Sequence, residues 1–440
     1  MKSKIKWIWF AEKCGAANPE MVTILEKYGS VSEIFLADYN SYIENDINER
    51  LAEKLADKSL ERAYTILQYC ETHKVGILKY SDDEYPQSLR SLKDPPAVLY
   101  YLGRLPDFNK NLCIAAVGTR KMSEYGMRAA YKIAYEVASS GAIVVSGMAL
   151  GIDSVAASAA LRARGKTVAV LGCGIDIIYP KEHAKLYREI AQNGVILTEY
   201  PPASEPRSFN FPTRNRIISG LSQGTVVIDA GERSGALITS KTAILQGRDV
   251  YAVPSNIDSE NSSGTNSLIR DGAQAVLCGY DIIKNYAYLF RNTIDIQKLR
   301  KSEERSQFDP AALIYYGVRA RGRAPAFEGI SAKIEREQRE AQNTQKAPVK
   351  HAGEEKKKGN PEPREEQNAK DKAGDNSRAI FETLGETEKK IFSEMPLDNA
   401  VSADYFTKTG YKFGDIMSAL TRLEIKGLIA SLPGGLYTRK

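Results

Sequence analysis

Nine short apolar runs recur between Val75 and Gly279, and no other feature of the sequence restricts the fold as strongly. They read VGILKY, AVLYYLG, CIAAVG, AIVVSG, TVAVLG, GVILTEY, GTVVIDA, DVYAVPS and AQAVLCG. Amphipathic stretches such as SEYGMRAAYKIAYEVASS and SKTAILQG lie between them. Strands that are apolar almost throughout need cover on both faces, and intervening helices supply it in a mainly parallel sheet. Segment 76–290 is therefore expected to be a Rossmann-like, doubly wound α/β domain.

The flanks have a different texture. Residues 1–75 place apolar side chains at helical spacing, such as Met21, Ile24, Leu25 and Tyr28, then Leu51, Leu55, Leu60, Tyr64 and Leu67. This predicts a small helical domain, of the SAM or helix-hairpin kind. From 297 to 378 the composition collapses into Lys, Glu, Arg, Gln, Asn and Ala, as in HAGEEKKKGNPEPREEQNAKDKAGDNS. So few apolar groups do not offset the entropy of ordering, and a disordered charged linker is expected there, with 311–318 as a candidate short helix. In 379–440, segments 386–395, 402–409 and 412–426 read as three helices. A hairpin turning at Gly434-Gly435 follows, which is the plan of a winged-helix module.

Composition narrows the function. No run of eighteen apolar residues occurs in the 440, so no membrane span is expected. The apolar stretch in MKSKIKWIWFAEKCG is too short and too charged for a signal peptide, and a cytoplasmic protein is expected. The 5 cysteines are scattered and only 3 histidines exist. A disulfide framework, a metal site and a Ser-His-Asp triad are all poorly supplied. The net charge of +6 suits a polyanionic partner but is also ordinary surface chemistry.

Chemistry concentrates where the apolar runs end. CIAAV runs into Gly118-Thr119-Arg120, with Ser123 able to cap the helix beyond, and AIVV runs into Ser146-Gly147 and on to Gly151. TVAVL ends in Gly172-Cys173-Gly174, and GTVVIDA leads to Arg233-Ser234-Gly235 and Thr239. In a parallel sheet these four loops share one edge, above the carboxyl ends of the strands. Helix N-termini there offer backbone N–H groups and a positive dipole end to phosphate, and glycine permits close approach. The segment Phe209-Asn-Phe211-Pro-Thr-Arg214-Asn215-Arg216 adds guanidinium forks for phosphates and aromatic faces for unstacked bases. The alternative makes the phenylalanines core residues and the arginines solvated.

Nucleotide enzymes fit less well. Gly165-Lys166-Thr167 resembles the end of a P-loop, yet Ala160 stands at the first glycine position and the tripeptide precedes its strand. Gly172-x-Gly174 lacks the third glycine of a dinucleotide fingerprint, with Ile177 in its place. Asp153, Asp176, Glu199 and Asp229 are not paired by spacing as acid and base, and Asp153 can simply orient a loop. No cofactor, no metal and no catalytic group are expected.

At these residues the chain resembles the DNA-processing protein A (DprA, also Smf) family. The resemblance runs from about Tyr85 to Leu277 through AVGTRKMSEYG, SGMALGIDSVAASAAL, GCGIDIIYP, TEYPP, FPTRNRIISGLS and SGALITSKTAILQGRDVYAVPS, in that order. It implies a Rossmann-like domain that binds single-stranded DNA in a basic pocket, forms homodimers and loads the RecA recombinase on incoming strands in natural transformation. Pocket roles carry over to Gly118, Thr119, Arg120, Arg214, Asn215 and Arg216, and beyond them to Ser146, Gly147, Ser234, Gly235 and Thr239. Three positions depart from the family pattern: Ala157 replaces a usual histidine, Asp229 a glutamate and Ser255 a glycine. Two further readings stay open. One is a phosphoribohydrolase-type enzyme, whose P-G-G-x-G-T-x-x-E loop is absent. The other is a duplex-DNA regulator acting through Lys408, Lys412, Arg422, Lys426, Arg439 and Lys440.

Overall fold

The computed structural model describes residues 2–303, 306, 308–316 and 318, and towards the C-terminus 384–396, 401–403, 405–406, 410–411, 413–426, 428–432 and 436–439. The chain divides into two units, Met1–Ala347 and Pro348–Lys440, each described by itself.

All nine apolar runs form strands. They are β1 (Gly76–Lys79), β2 (Val98–Gly103), β3 (Cys113–Val117), β4 (Ile143–Ser146), β5 (Thr167–Val170), β6 (Val195–Thr198), β7 (Gly224–Val227), β8 (Asp249–Ala252) and β9 (Gln274–Ala275). They make one sheet in the order β1-β2-β6-β5-β4-β3-β7-β8-β9. From β6 to β9 every pairing is parallel. Strands β1 and β2 instead run antiparallel to each other, and β2 runs antiparallel to β6. The sheet is thus mainly parallel, as its strands' apolar character requires.

The winding order creates the site. From β3 the chain moves outward through β4, β5 and β6, then crosses back to β7 on the opposite side of β3 and continues to β8 and β9. Between β3 and β7 the two windings diverge, and a crevice opens above the carboxyl ends of the strands.

Both faces of the sheet are covered, with the period of two that a pleated strand imposes. Ile114, Ala116, Val144 and Ala169 enter one core, with Ala130, Val155 and Ile190 from helices Glu124–Ser139, Ile152–Arg162 and Ala184–Asn193. Cys113, Ala115, Val117, Val145 and Val170 enter the other, with Ile217, Ile218 and Leu221 of helix Asn210–Leu221. Each fully buried Ile or Leu contributes roughly 1.5–3 kcal/mol. Six helices occupy Lys2–Cys14, Glu20–Tyr28, Val31–Leu36, Tyr39–Glu44, Glu49–Ala56 and Glu61–Thr72. Their Trp9, Phe10, Ile24 and Leu55 share one contiguous core with the first sheet face.

The charged linker begins later than composition suggests. Ile296–Glu303 and Pro310–Tyr315 are helices, and Leu299, Leu313 and Val318 are buried against the first core. A few well-spaced apolar anchors suffice here because a ready-made core receives them. The remainder of the predicted linker, 319–378, lies outside the described residues.

In the C-terminal unit, helices Glu386–Glu394 and Phe413–Ile425 pack around Ile391, Phe406, Ile416, Leu420 and Ile429. Ile429–Leu432 and Leu436–Arg439 form the expected hairpin. Ser402, expected to open a helix, instead lies in strand Val401–Ser402, which pairs with Leu436–Arg439. Residues 404 and 407–409 of that expected helix, and the turn at 433–435, lie outside the described residues.

Candidate functional site

Helix Asn210–Leu221 crosses the open end of the sheet and separates the fates of its arginines. Arg214 is buried, and its Nη1 donates to the carbonyl of Gly147 at 2.9 Å and to that of Val170. These are the ends of β4 and β5, so one guanidinium ties two strand ends together. Its Nε donates to Asn215 Oδ1 at 3.2 Å. Burial pushes the Arg214 pKa down to about 10, with Asp153 pulling the other way, so the group stays cationic at neutral pH. A Cβ on Gly147 would stand 2.4 Å from this guanidinium, which accounts for the glycine.

Arg216 does not belong to the crevice. Two residues along a helix is a rotation of about 200°, which carries its side chain to the opposite side from Arg214. There it pairs with Glu199 at 2.5 Å and with Asp94 at 3.2 Å. Arg216 and Glu199 are both buried, with side chains 7% and 4% exposed. Ser146 is also turned inward, its hydroxyl donating to the Asp153 carbonyl at 3.2 Å. Asp153 in turn accepts from the Gly147 N–H at 2.9 Å, and burial raises its pKa against the pull of Arg214. It orients the loop after β4.

Most of the remaining predicted residues converge. Arg120, Ala149, Phe211 and Arg214 line two adjoining cavities. The first, about 360 Å³, sits at the β3/β7 switch and is completed by Gly118, Thr119, Asn215, Arg233, Ser234, Gly235 and Thr239. Helix Gly235–Leu245 opens into it with Ser234 as N-cap, accepting from the Ala236 N–H at 3.3 Å. A Cβ on Gly235 would meet nothing within 4 Å, so packing does not demand glycine there, and the helix N-terminus is open to the cavity. On the β3 side, Thr119 N–H donates to the Asp229 carbonyl at 2.6 Å and Ser123 caps the following helix through Gly126 N–H at 2.9 Å.

The second cavity, about 400 Å³, is bounded by Gly147, Gly172, Tyr179 and Lys181. Tyr179 and Phe211 stack with ring centroids 5.3 Å apart. The Arg120 guanidinium carbon lies 5.3 Å from the Phe211 ring centre. Arg120 forms no ion pair among the described residues, so its donors are available to a ligand. Tyr179 and Lys181 were not among the expected site residues, although both follow the glycine-ended TVAVLG run within one loop. Phe209 is 64% exposed and borders neither cavity. It lines a separate groove facing helix Glu61–Thr72.

Residues 76–287 match the family model described as DNA recombination-mediator protein A. Protein Smf of Synechocystis is 32% identical over 381 residues, which cover 85% of this chain and 83% of that protein. The DNA processing protein DprA of Streptococcus pneumoniae is 36% identical over 292 residues, covering 64% of this chain and 98% of its own length. The chain belongs to the DprA/Smf family. A solved DprA structure from Streptococcus pneumoniae superposes with a TM-score of 0.57 at 34% identity, covering 63% of this chain and 97% of that one. The departures from the DprA/Smf pattern are absorbed locally. Ala157 is buried within helix Ile152–Arg162. Asp229 accepts from the Ser123 N–H at 2.7 Å, and burial raises its pKa. The backbone of Ser255 bonds at both its N–H and its carbonyl to Asn266, at 3.2 and 3.0 Å.

In the C-terminal unit, those cations considered for duplex contact that are among the described residues are engaged internally. Arg422 and Lys426 reach Glu388 at 3.4 and 3.2 Å. Arg439 donates to the Phe392 carbonyl, with its guanidinium 4.4 Å from that ring's centre. Lys408, Lys412 and Lys440 lie outside the described residues. Among the described residues no helix is long and apolar enough to cross a membrane.

Proposed function

We propose that the chain binds single-stranded DNA in the crevice at the β3/β7 switch and hands it to the RecA recombinase, without making or breaking bonds. One observation carries this reading: Arg120 and Arg214 line the same two cavities, with an aromatic stack on one side and a helix N-terminus on the other. Backbone phosphate sits between Arg120, Arg233 and the first turn of helix Gly235–Leu245, held by charge-assisted donors and the dipole. The fixed charge of Arg214 lies beneath it. An unstacked base lies against Phe211 and Tyr179. Ser146 and Arg216 support the crevice from behind.

The finer assignments rest on membership of the DprA/Smf family. The protein acts in the cytoplasm during natural transformation, protecting incoming strands. Segments 1–75, 76–290, 297–378 and 379–440 act as helical domain, DNA-binding domain, linker and winged helix. It works as a homodimer, for which the exposed Ile238, Ile244 and Leu245 of helix Gly235–Leu245 offer an apolar face.

The test has two parts. In an anisotropy titration with oligo-dT, Arg120→Ala weakens binding and flattens the log-log salt dependence by about 0.7 for each phosphate no longer neutralised. Recombinase filaments form faster on strands coated by a single-strand binding protein when the wild-type chain is present, and Arg120→Ala removes the gain. Unchanged affinity and salt slope would falsify the crevice reading, and wild-type chain without effect on filament growth would remove the loading role alone.

A further inference from the structure

We infer that the groove between helix Glu61–Thr72 and the lip of the crevice is a second contact for the same single strand, beyond the crevice itself; this rests on the reading above. At about 890 Å³ the groove has more than twice the volume of either crevice cavity. Arg62, Tyr200, Arg207 and Phe209 line it, so guanidiniums and aromatic faces occur together, as a strand requires.

Continuity makes the strand the fitting occupant. Phe209 immediately precedes helix Asn210–Leu221 and borders the groove, while Phe211, two residues on, borders the crevice. The residue between them joins the two walls. Asn210 Nδ2 donates to the Gly172 carbonyl at 3.0 Å and to the Glu205 carbonyl at 3.3 Å. Gly172 lines the crevice and Glu205 the groove. The two sites therefore lie on either side of one hydrogen-bonded ridge, and a strand leaving Phe211 meets Phe209 next. An apolar ring 64% exposed at that lip offers a stacking face.

The two arginines are held to different degrees. Arg207 lies 3.8 Å from Glu205, with both side chains largely exposed, a pair weak enough for a phosphate to compete for the guanidinium. Arg62 pairs through its Nε with Glu12, whose side chain is 18% exposed, while its own side chain is 74% exposed, so the rest of the guanidinium is open to the groove it lines. In this arrangement the N-terminal helices take part in DNA binding through Arg62, and the crevice and groove together set the length of strand occupied.

Oligo-dT of about 5 and about 15 nucleotides, spanning the usual range of single-strand site sizes, separates the two sites in anisotropy titrations of the full chain. Phe209→Ala is expected to weaken the long oligo about fivefold or more and to leave the short one unchanged. Arg62→Ala lowers the salt slope of the long oligo alone, by about 0.7. Arg120→Ala weakens both lengths. If Arg120→Ala weakens both while Phe209→Ala and Arg62→Ala leave the long oligo unaffected, the groove assignment falls and the crevice stands. If Phe209→Ala and Arg62→Ala weaken both lengths equally, the groove is no separate contact and the inference is overturned. If Arg120→Ala changes neither length, the crevice reading falls and takes this inference with it.

Discussion

The crevice and the C-terminal unit each carry several cations, yet their donors face different partners. Among the described residues Arg120 lies over the Phe211 ring without an ion pair, and Arg214 lines two cavities while bonding neutral carbonyls and an amide. Arg422 and Lys426 instead converge on Glu388, whose side chain is 6% exposed. A count of basic residues therefore does not locate a polyanion site. What matters is how much of each cation a carboxylate already holds. The RNR motif makes a related point within a single helix turn, since Arg214 feels Asp153 nearby but bonds neutral carbonyls, whereas Arg216 is paired directly with two acids.

Substitutions at four positions test this contrast. The largest effect is expected for Arg216→Ala, which strands buried Glu199 without its partner. It should lower unfolding free energy by about 3–5 kcal/mol in a denaturant titration, with binding by the folded fraction intact. Abolished oligo binding at an unchanged midpoint would return Arg216 to the crevice. Next comes Arg120→Ala, which removes charge-assisted bonds worth roughly 1.5–3 kcal/mol, or about tenfold to a hundredfold in affinity, while thermal unfolding stays put. A melting shift in place of weaker affinity would make Arg120 structural. Phe211→Ala should weaken oligo-dT by about 1–3 kcal/mol by removing a stacking face, and Phe211→Tyr should restore it. A binding isotherm identical to wild type would reassign that ring to packing. The smallest effect belongs to Lys426→Ala, with no change in single-strand affinity, and a drop comparable to that of Arg120→Ala would erase the contrast between the two units.

Much of this was legible in the sequence because strand burial and loop chemistry are local. Each apolar run became a strand, and the glycine-bearing ends of β3, β4, β5 and β7 met at one edge because parallel winding leaves them no other place. Ser123 caps a helix where its position before an apolar stretch indicated. Other features depend on partners far away in the chain. Nothing beside Arg216 announces that Glu199 and Asp94 will lie against it, although a helical-phase argument separates it from Arg214. Leu299, Leu313 and Val318 look isolated in charged surroundings, and only the core that receives them explains the helices Ile296–Glu303 and Pro310–Tyr315. Tyr179 and Lys181 reach the crevice because the chain after β5 folds back over it, a path that spacing does not encode.

The bond from Arg214 to the ends of β4 and β5 has a mechanical meaning. Three segments are tied at their meeting point. On the function proposed above, the socket is shaped in advance and much of the loss of freedom on association falls to the polymer. Such a socket favours suppleness of the guest over the letters it carries.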